Sequence, residues 1–195
     1  MNTGLKYALI GTLLGMALAG KAQALSEGDA APEFQAPAAL NGHTFTFTLR
    51  DKLKQGPVIV YFYPSAYTNG CNIQAHTFAE KSQRFTAAGA QIVGVSLDSI
   101  ARLKTFSADP DFCAGKIAVA SDADGKIAKS YGVNIRSTAG GRKDTRGNDI
   151  DHDFAERTTF VVGTDGRIVG VVGGVSPSEN VDKTLSIVQG LAASR

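Results

Sequence analysis

The chain has 195 residues, 43% of them hydrophobic and 19% charged, enough for one compact domain with a core. Twenty basic against eighteen acidic residues give a net charge of +2, which excludes a polybasic nucleic-acid binder and an acidic tail. Two cysteines exclude a disulfide scaffold and a four-cysteine zinc site, and leave room for one disulfide or for one reactive thiol with a partner.

Residues 1–24 read as a secretory signal peptide. Lys6 supplies a short positive region, residues 7–19 an apolar stretch, and Ala22-Gln23-Ala24 a small-x-small cleavage site. The apolar run is shorter than the roughly 20 residues needed to cross a bilayer. Cleavage after Ala24 removes Lys6, Lys21 and both methionines, leaving a domain of residues 25–195 with eighteen bases and eighteen acids. The expected location is exported and periplasmic, an oxidising compartment in which a disulfide can persist, with no membrane attachment after cleavage.

Residues 25–43, rich in Ala, Pro and Gly, read as an extended lead-in. Residues 43–49 alternate Phe45 and Phe47 with threonines, the period of a strand. Residues 52–56 form a polar turn. Residues 57–63 are a continuous apolar, β-branched and aromatic run, the mark of a central strand buried on both faces. Pro64 stops that strand, because proline cannot donate to the ladder. Residues 65–70 are turn formers, and a helix is predicted from Cys71 to Ala88 with Gly89 at its C-terminal end. Residues 90–97 are a second buried strand. Asp98 or Ser99 caps the next helix, which carries Ile100, Leu103 and Phe106 at helical spacing and is ended by Asp109-Pro110.

A short strand is predicted over 117–120, a turn over 121–125 and a helical piece over 126–131. Residues 134–153 crowd Arg136, Arg142, Lys143, Asp144, Arg146 and several aspartates around Gly140, Gly141 and Gly147, and read as a long solvated loop. Asp149, Asp151, His152 and Asp153 lack the glycine and terminal glutamate of an EF-hand loop, and neither metal nor cofactor is expected. Residues 157–162 and 167–172 make a hairpin about the turn 163–166. Ser176-Pro177 opens a last helix to about Ala193. Strands alternating with helices predict an α/β domain with a mixed central sheet flanked by helices.

The chemistry concentrates at the junction of strand and helix, from Pro64 to Cys71. A cysteine in the first turn of a helix meets free backbone N–H groups and the positive end of the helix dipole, which favour an anion. A thiolate is such an anion, and thiol pKa values fall at these positions. Pro64 shields the loop, and Gly70 lets the backbone approach closely. Thr68, three residues before Cys71, can turn its hydroxyl back over the sulfur. The competing reading is a buried structural cysteine, which a polar, turn-rich loop fits poorly.

Pro64-Ser-Ala-Tyr-Thr68-Asn-Gly-Cys71 resembles the Pro-x-x-x-Thr-x-x-Cys motif of peroxiredoxins, and Tyr-Phe-Tyr-Pro just before it is similar to their Q-type, or bacterioferritin-comigratory, branch. The resemblance extends over nearly all of residues 25–192, through Gly28-Asp-Ala-Ala-Pro-Glu-Phe34, Gly94-Val-Ser-Leu-Asp98, Ser121-Asp122, Tyr131-Gly-Val133, Arg157-Thr-Thr-Phe160 and Asp165-Gly166. It implies a thioredoxin-like fold and a thiol-dependent peroxidase that reduces hydrogen peroxide and organic hydroperoxides. Cys71 then corresponds to the peroxidatic cysteine and Arg157 to the arginine that stabilises its thiolate and orients the peroxide. Thr68 corresponds to the hydroxyl that holds the peroxide oxygen, and Pro64 to the residue that shields the sulfur.

Three positions depart from the pattern: His76 stands where many Q-type members carry a second cysteine, Gln74 where glutamate is common, and the 134–153 loop is long. Cys113 resembles the resolving cysteine of members that place it in the helix after the second core strand, which implies an intramolecular disulfide with Cys71 after oxidation. The implied reductant is a thioredoxin-like protein or a small thiol, and the implied assembly a monomer or weak dimer that binds no nucleic acid. An exported thiol–disulfide oxidoreductase of the thioredoxin class is the alternative, but Cys71-Asn-Ile-Gln74 lacks the second cysteine of a Cys-x-x-Cys motif. A third reading is a non-catalytic binding domain with Cys71 and Cys113 in a permanent disulfide. His43, His76 and His152, far apart in sequence, read as surface or hydrogen-bonded residues.

Overall fold

The computed structural model describes residues 25–138 and 141–193. The leader expected over residues 1–24 lies outside the described residues, as does Gly140. The chain builds a seven-stranded mixed sheet from β1 (Gln35–Leu40), β2 (His43–Thr48), β3 (Val58–Phe62), β4 (Gln91–Ser96), β5 (Ala118–Ser121), β10 (Thr158–Val162) and β11 (Ile168–Gly173), in the spatial order β11-β10-β3-β4-β5-β1-β2. The three central strands β3, β4 and β5 run parallel, while β10 and β1 pair antiparallel on either side of them. Between β5 and β10 the chain forms two small antiparallel pairs, β6 (Ile135–Arg136) with β9 (Phe154–Ala155) and β7 (Arg142–Lys143) with β8 (Asp149–Ile150).

All five residues of β3 are buried, as its unbroken apolar run predicts for a strand covered on both faces. Its side chains alternate between two cores. Val58, Val60 and Phe62 join the core under α1 (Leu49–Leu53) and α4 (Lys126–Ser130). Ile59, Tyr61 and Tyr63 join the core under α2 (Asn69–Ala87), α3 (Ile100–Ala108) and α5 (Pro177–Ala193). Gly94 on β4 makes room for that second layer, because a Cβ there would stand 2.5 Å from the Tyr61 ring.

Two local expectations are corrected. The stretch read as an extended lead-in contains β1, an interior strand hydrogen-bonded to both β2 and β5. Its Ala36, Ala38 and Ala39 are buried, small residues that let the sheet layers close over it. The polar turn expected over residues 52–56 is confined to 54–56, because residues 52 and 53 end a short helix, α1, that buries Leu49 and Leu53. Elsewhere the predicted caps are present. Ser99 accepts from the Arg102 N–H, Ser176 from the Glu179 N–H, and Gly89 follows α2 with a positive φ of 76°.

Candidate active site

Cys71 is the third residue of α2 and is 2% exposed. It sits at the C-terminal end of β3, where the parallel strands of an open α/β sheet leave a crevice for ligands. Pro64 follows β3 and ends its pairing, so the chain leaves the sheet and turns through Ser65–Thr68 into α2. Tyr67 takes the left-handed conformation within this turn, with φ of 60°, a costly state for a bulky residue that its surroundings must enforce.

Arg157, at the start of β10, points one guanidinium nitrogen at Cys71: Nη2 lies 3.4 Å from Sγ. Its Nη1 donates to the Gln74 side-chain oxygen, one turn further along α2. Gln74 then donates through Nε2 to Asn180 Oδ1 at 2.9 Å, and Thr159 donates to the same oxygen at 2.7 Å. Asn180 closes the chain by donating to the Val172 carbonyl at 3.0 Å. Gln74, Thr159 and Asn180 are fully buried, so the links among them are made away from water, where an unpaired polar group costs about 1–3 kcal/mol. Gly70 permits the approach, since a Cβ there would stand 3.0 Å from Arg157 Nη2.

Thr68 is the N-cap residue of α2, but its hydroxyl donates to the Ser65 carbonyl at 2.9 Å. This bond commits the hydroxyl proton to the loop. The loop geometry fixes the threonine and leaves its oxygen to act as an acceptor. Pro64 and Thr68 line one cleft of about 510 Å³, and Pro64 and Arg157 line a second of about 420 Å³.

The polar loop expected over residues 134–153 is largely exposed, and parts of it pack back onto the turn before Cys71. Thr145 holds the Tyr67 carbonyl twice, from its N–H at 2.8 Å and from its hydroxyl at 2.9 Å. Arg146 lays its guanidinium over the Tyr67 ring at 3.8 Å. Asp98, expected as a helix cap, instead turns inward at the turn before Cys71 and accepts from the Ala66 N–H at 2.8 Å and the Ser65 and Ser96 hydroxyls at 2.8 and 2.7 Å. Arg102 and His152 also reach it, at 2.9 and 2.8 Å, and Arg102 reaches on to Asp144 at 2.9 Å. Burial would raise the Asp98 carboxyl, but His152, Ala66 and Ser96 outweigh it and hold the group below its ordinary value. The segment is thus a strap across the turn that sets Cys71. Two of its charges reach distant partners, Asp144 to Arg102 and Arg146 to Asp109, while Lys143 pairs locally with Asp149.

Cys113 lies in the turn after α3, fully buried beside Ala114, which has φ of 50°. It belongs to the same buried aromatic cluster as Cys71. Both cysteines are free thiols, which counts against a permanent disulfide. Burial, and then the charge of Asp109, push the Cys113 thiol well up from its ordinary value. His76, at the position where a second cysteine was looked for, contacts the Asp111 carbonyl at 2.9 Å and so ties α2 to this turn.

Comparison with known proteins agrees with this geometry. Residues 27–171 match the model of the AhpC/TSA family. A putative peroxiredoxin of Mycobacterium tuberculosis is 36% identical over 149 residues, spanning 76% of this chain and 85% of that protein. A chloroplastic peroxiredoxin Q of Sedum lineare is 31% identical over 155 residues, spanning 74% of this chain and 75% of that protein. Among solved structures, peroxidoxin BcpB of Mycobacterium tuberculosis superposes with a TM-score of 0.70 at 28% identity, covering 85% of this chain and 97% of that one. The Xanthomonas campestris bacterioferritin comigratory protein, described for its alkyl peroxide reduction activity, superposes with a TM-score of 0.63 at 26% identity, covering 80% and 91%. The sheet and its helical layers are therefore a thioredoxin-like fold, and the chain belongs to the AhpC/TSA family as a peroxiredoxin, a thiol peroxidase.

Proposed function

We propose that the protein is an exported peroxiredoxin that reduces hydrogen peroxide and organic hydroperoxides with Cys71 and resolves the product with Cys113. The observation that carries the reading is the Arg157 guanidinium 3.4 Å from the Cys71 sulfur at the first turn of α2. A cation and a helix N-terminus on one sulfur favour its anionic, nucleophilic form. The same donors face the oxygen on which charge builds as the peroxide bond breaks. The Xanthomonas relative's alkyl peroxide activity supports the organic substrates.

The first step forms an S–O bond and breaks the O–O bond. The sulfur loses two electrons and becomes a sulfenic acid, and the departing alkoxide or hydroxide takes a proton and leaves as alcohol or water. Cys113 then gives up its proton, attacks the Cys71 sulfur and expels water, forming an intramolecular disulfide. A disulfide requires Cα atoms within about 7 Å. Both thiols are free and buried, Cys71 within the first turn of α2, and in this proposal the start of α2, the Cys113 turn, or both, unwind to bring the sulfurs together. An outside dithiol protein or small thiol returns both sulfurs to thiols. Export rests on the charged, apolar and Ala-x-Ala leader, and the mature chain begins at Leu25.

Addition of one equivalent of hydrogen peroxide to the reduced protein tests the mechanism. Loss of both free thiols with a Cys71–Cys113 peptide in a monomer is expected. A trapped Cys71 sulfenic acid beside a free Cys113 thiol would remove Cys113 from the mechanism, and unchanged activity in Cys71→Ser would remove Cys71. The intact mass of exported protein checks the cleavage site.

A further inference from the structure

We propose that His152, on the strap, is a positioning residue for the oxidation of Cys71: through Asp98 and Ser65 its doubly protonated ring fixes the hydroxyl of Thr68, and loss of one ring proton loosens it. The inference rests on the reading of Cys71 as the peroxidatic residue and of Thr68 as the residue that holds the peroxide, and it adds a pH control to that site.

The carbonyls of the turn before Cys71 all have donors. Thr68 Oγ1 donates to the Ser65 carbonyl at 2.9 Å, and Arg102 to the Ala66 carbonyl at 2.8 Å. Thr145 holds the Tyr67 carbonyl, and the Cys71 and Asn72 N–H groups hold that of Thr68 at 2.9 and 2.8 Å. The Thr68 oxygen is thus as well fixed as the Ser65 it is tied to. Ser65 is fully buried, and its hydroxyl donates to Asp98 Oδ1 at 2.8 Å. The same carboxylate oxygen meets His152 Nε2 at 2.8 Å and Arg102 Nε at 2.9 Å. His152 Nε2 also stands 3.3 Å from Ser65 Oγ, so ring, carboxylate and hydroxyl form a triangle. A path of hydrogen bonds runs from His152 through Asp98 and Ser65 to Thr68, and its two middle members are wholly out of water.

The charge of the ring decides how this triangle is wired. The doubly protonated ring donates to Asp98 from Nε2 and to the Asp153 carbonyl from Nδ1, and the Ser65 hydroxyl keeps its proton on Asp98. The neutral ring has one hydrogen for these two contacts. Placed on Nδ1, it leaves an Nε2 lone pair facing Asp98, which draws the Ser65 proton away from the carboxylate. Placed on Nε2, it leaves a lone pair against the Asp153 carbonyl, and the strap loses that hold. The groups that face the ring are Asp98 and Arg102 from the segment between β4 and α3, Asp151 and Asp153 from its own, Asp144 behind Arg102, and Tyr63 beyond Asp98. Burial opposes the ring's charge, but Asp98, the Asp153 carbonyl and Asp151 outweigh it and keep the ring protonated above its ordinary 6.5. Asp98 is held below its ordinary value by His152, Ala66 and Ser96 against its burial, and burial pushes the Tyr63 phenol well up. The first therefore stays ionised and the second neutral near pH 7, and within this cluster His152 is the group whose charge changes there.

Two rates on the same reduced protein test this, each followed from about pH 5.5 to 9. One is the oxidation of Cys71 by hydrogen peroxide in a single turnover without reductant; the other is the alkylation of Cys71 by iodoacetamide. The thiolate population enters both, whereas Thr68 enters the first alone, because the alkylating agent brings no peroxide oxygen to hold. The quotient of oxidation over alkylation should fall about three- to fivefold through one proton step centred above pH 6.5 as the held oxygen loosens. The His152 ring, followed by NMR in the wild type, should titrate at the same pH. His152→Gln keeps an N–H that can reach Asp98 but does not titrate, and its quotient should be flat. Ser65→Ala cuts the path beyond His152, and its quotient should be flat at the low, high-pH level of the wild type. A flat quotient in the wild type, or a step that does not coincide with the His152 titration, overturns the proposal. A step kept in His152→Gln removes His152 from it, and one kept in Ser65→Ala removes the path to Thr68. Failure of hydrogen peroxide to oxidise Cys71 at any pH is a different result, which overturns the peroxidatic reading itself and this inference with it.

Discussion

Gln74 lends its amide oxygen to the same Arg157 guanidinium that reaches the Cys71 sulfur, and the other end of that amide is anchored on Asn180. The cation is therefore aimed by a buried polar chain and not by the helix alone. Gln74→Ala deletes the middle link, frees the guanidinium to rotate and leaves Asn180 short of a partner. Oxidation of Cys71 by hydrogen peroxide should slow about tenfold, a loss of about 1.4 kcal/mol of transition-state stabilisation. Arg157→Ala should slow it further and also slow alkylation of Cys71 at neutral pH. Stopped-flow oxidation and timed alkylation of the two variants measure this; an Arg157→Ala protein that alkylates like the wild type would separate the arginine from the sulfur.

His152 presents both ring nitrogens to oxygen acceptors, Nε2 to Asp98 Oδ1 and Nδ1 to the Asp153 carbonyl, each at 2.8 Å. Only the doubly protonated ring donates to both at once. Burial opposes that charge, but Asp98 and then the Asp153 carbonyl outweigh it and raise the group above its ordinary value of 6.5. A raised folded-state value means stability that is fully present below about pH 6.5 and is lost as pH rises through the folded value. Asp98, held below its ordinary 3.8, sets the acid limit: its share is present above that value and is lost as pH falls through the folded one. The urea midpoint of the wild type should therefore exceed that of His152→Gln by more at pH 5.5 than at pH 9. A gap that is constant or widens with pH would show that the strap is not held by an imidazolium.

The Tyr61 hydroxyl is buried without a hydrogen-bond partner among the described residues, on a ring packed 4.6 Å from Phe78 and 5.4 Å from Tyr63. Tyr61→Phe removes an unpaired polar group and keeps the stack. It should stabilise the fold by about 1 kcal/mol, or roughly 2–4 °C in Tm for a domain of this size. Thermal unfolding reads the difference directly, and a lower Tm would mean that the hydroxyl is satisfied in solution.

What the sequence disclosed and what it concealed divide by range. β3 and α2 were legible because their signals are local: an unbroken apolar run, a proline stop, a glycine after the last turn. The candidate peroxidatic position stands out in the sequence for the same reason, since Pro64, Thr68 and Cys71 lie within eight residues. β1 was hidden because Ala36, Ala38 and Ala39 carry no strong period, and only the neighbouring β2 and β5 make them a strand. The strap was hidden because its charge density reads as solvation, whereas Asp144 and His152 find their partners in Arg102 and Asp98, more than forty residues away. Asp98 itself was legible only as a cap. Ser99 does the capping, and the aspartate is free to organise the turn before Cys71.

Under the proposed resolving role of Cys113, the strap is expected to set when that thiol can act. Arg146 covers the Tyr67 ring at 3.8 Å and pairs with Asp109, so one side chain bridges the turn before Cys71 and the turn that carries Cys113. Tyr67 in turn packs edge-on against Phe106 and Phe112, at 5.0 and 5.8 Å. While this bridge holds, Cys113 is fully buried and its thiol is pushed up by burial and by Asp109, which disfavours the attacking thiolate. Arg146→Ala removes a cation–π contact and an ion pair, together worth on the order of 1.4 kcal/mol, which favours the open turn about tenfold. The disulfide should form correspondingly faster after a pulse of peroxide, and Cys71 should over-oxidise less at excess peroxide, because its sulfenic acid is intercepted sooner. The variant also strips Asp109 of its partner, which by itself would disfavour the Cys113 thiolate. Asp109→Asn separates the two effects, since it breaks the bridge and removes that charge, and it should be at least as fast as Arg146→Ala. Quenched-flow alkylation with non-reducing peptide mapping follows the Cys71–Cys113 bond in each protein; a disulfide that forms no faster in either variant would show that the bridge does not limit the resolving step.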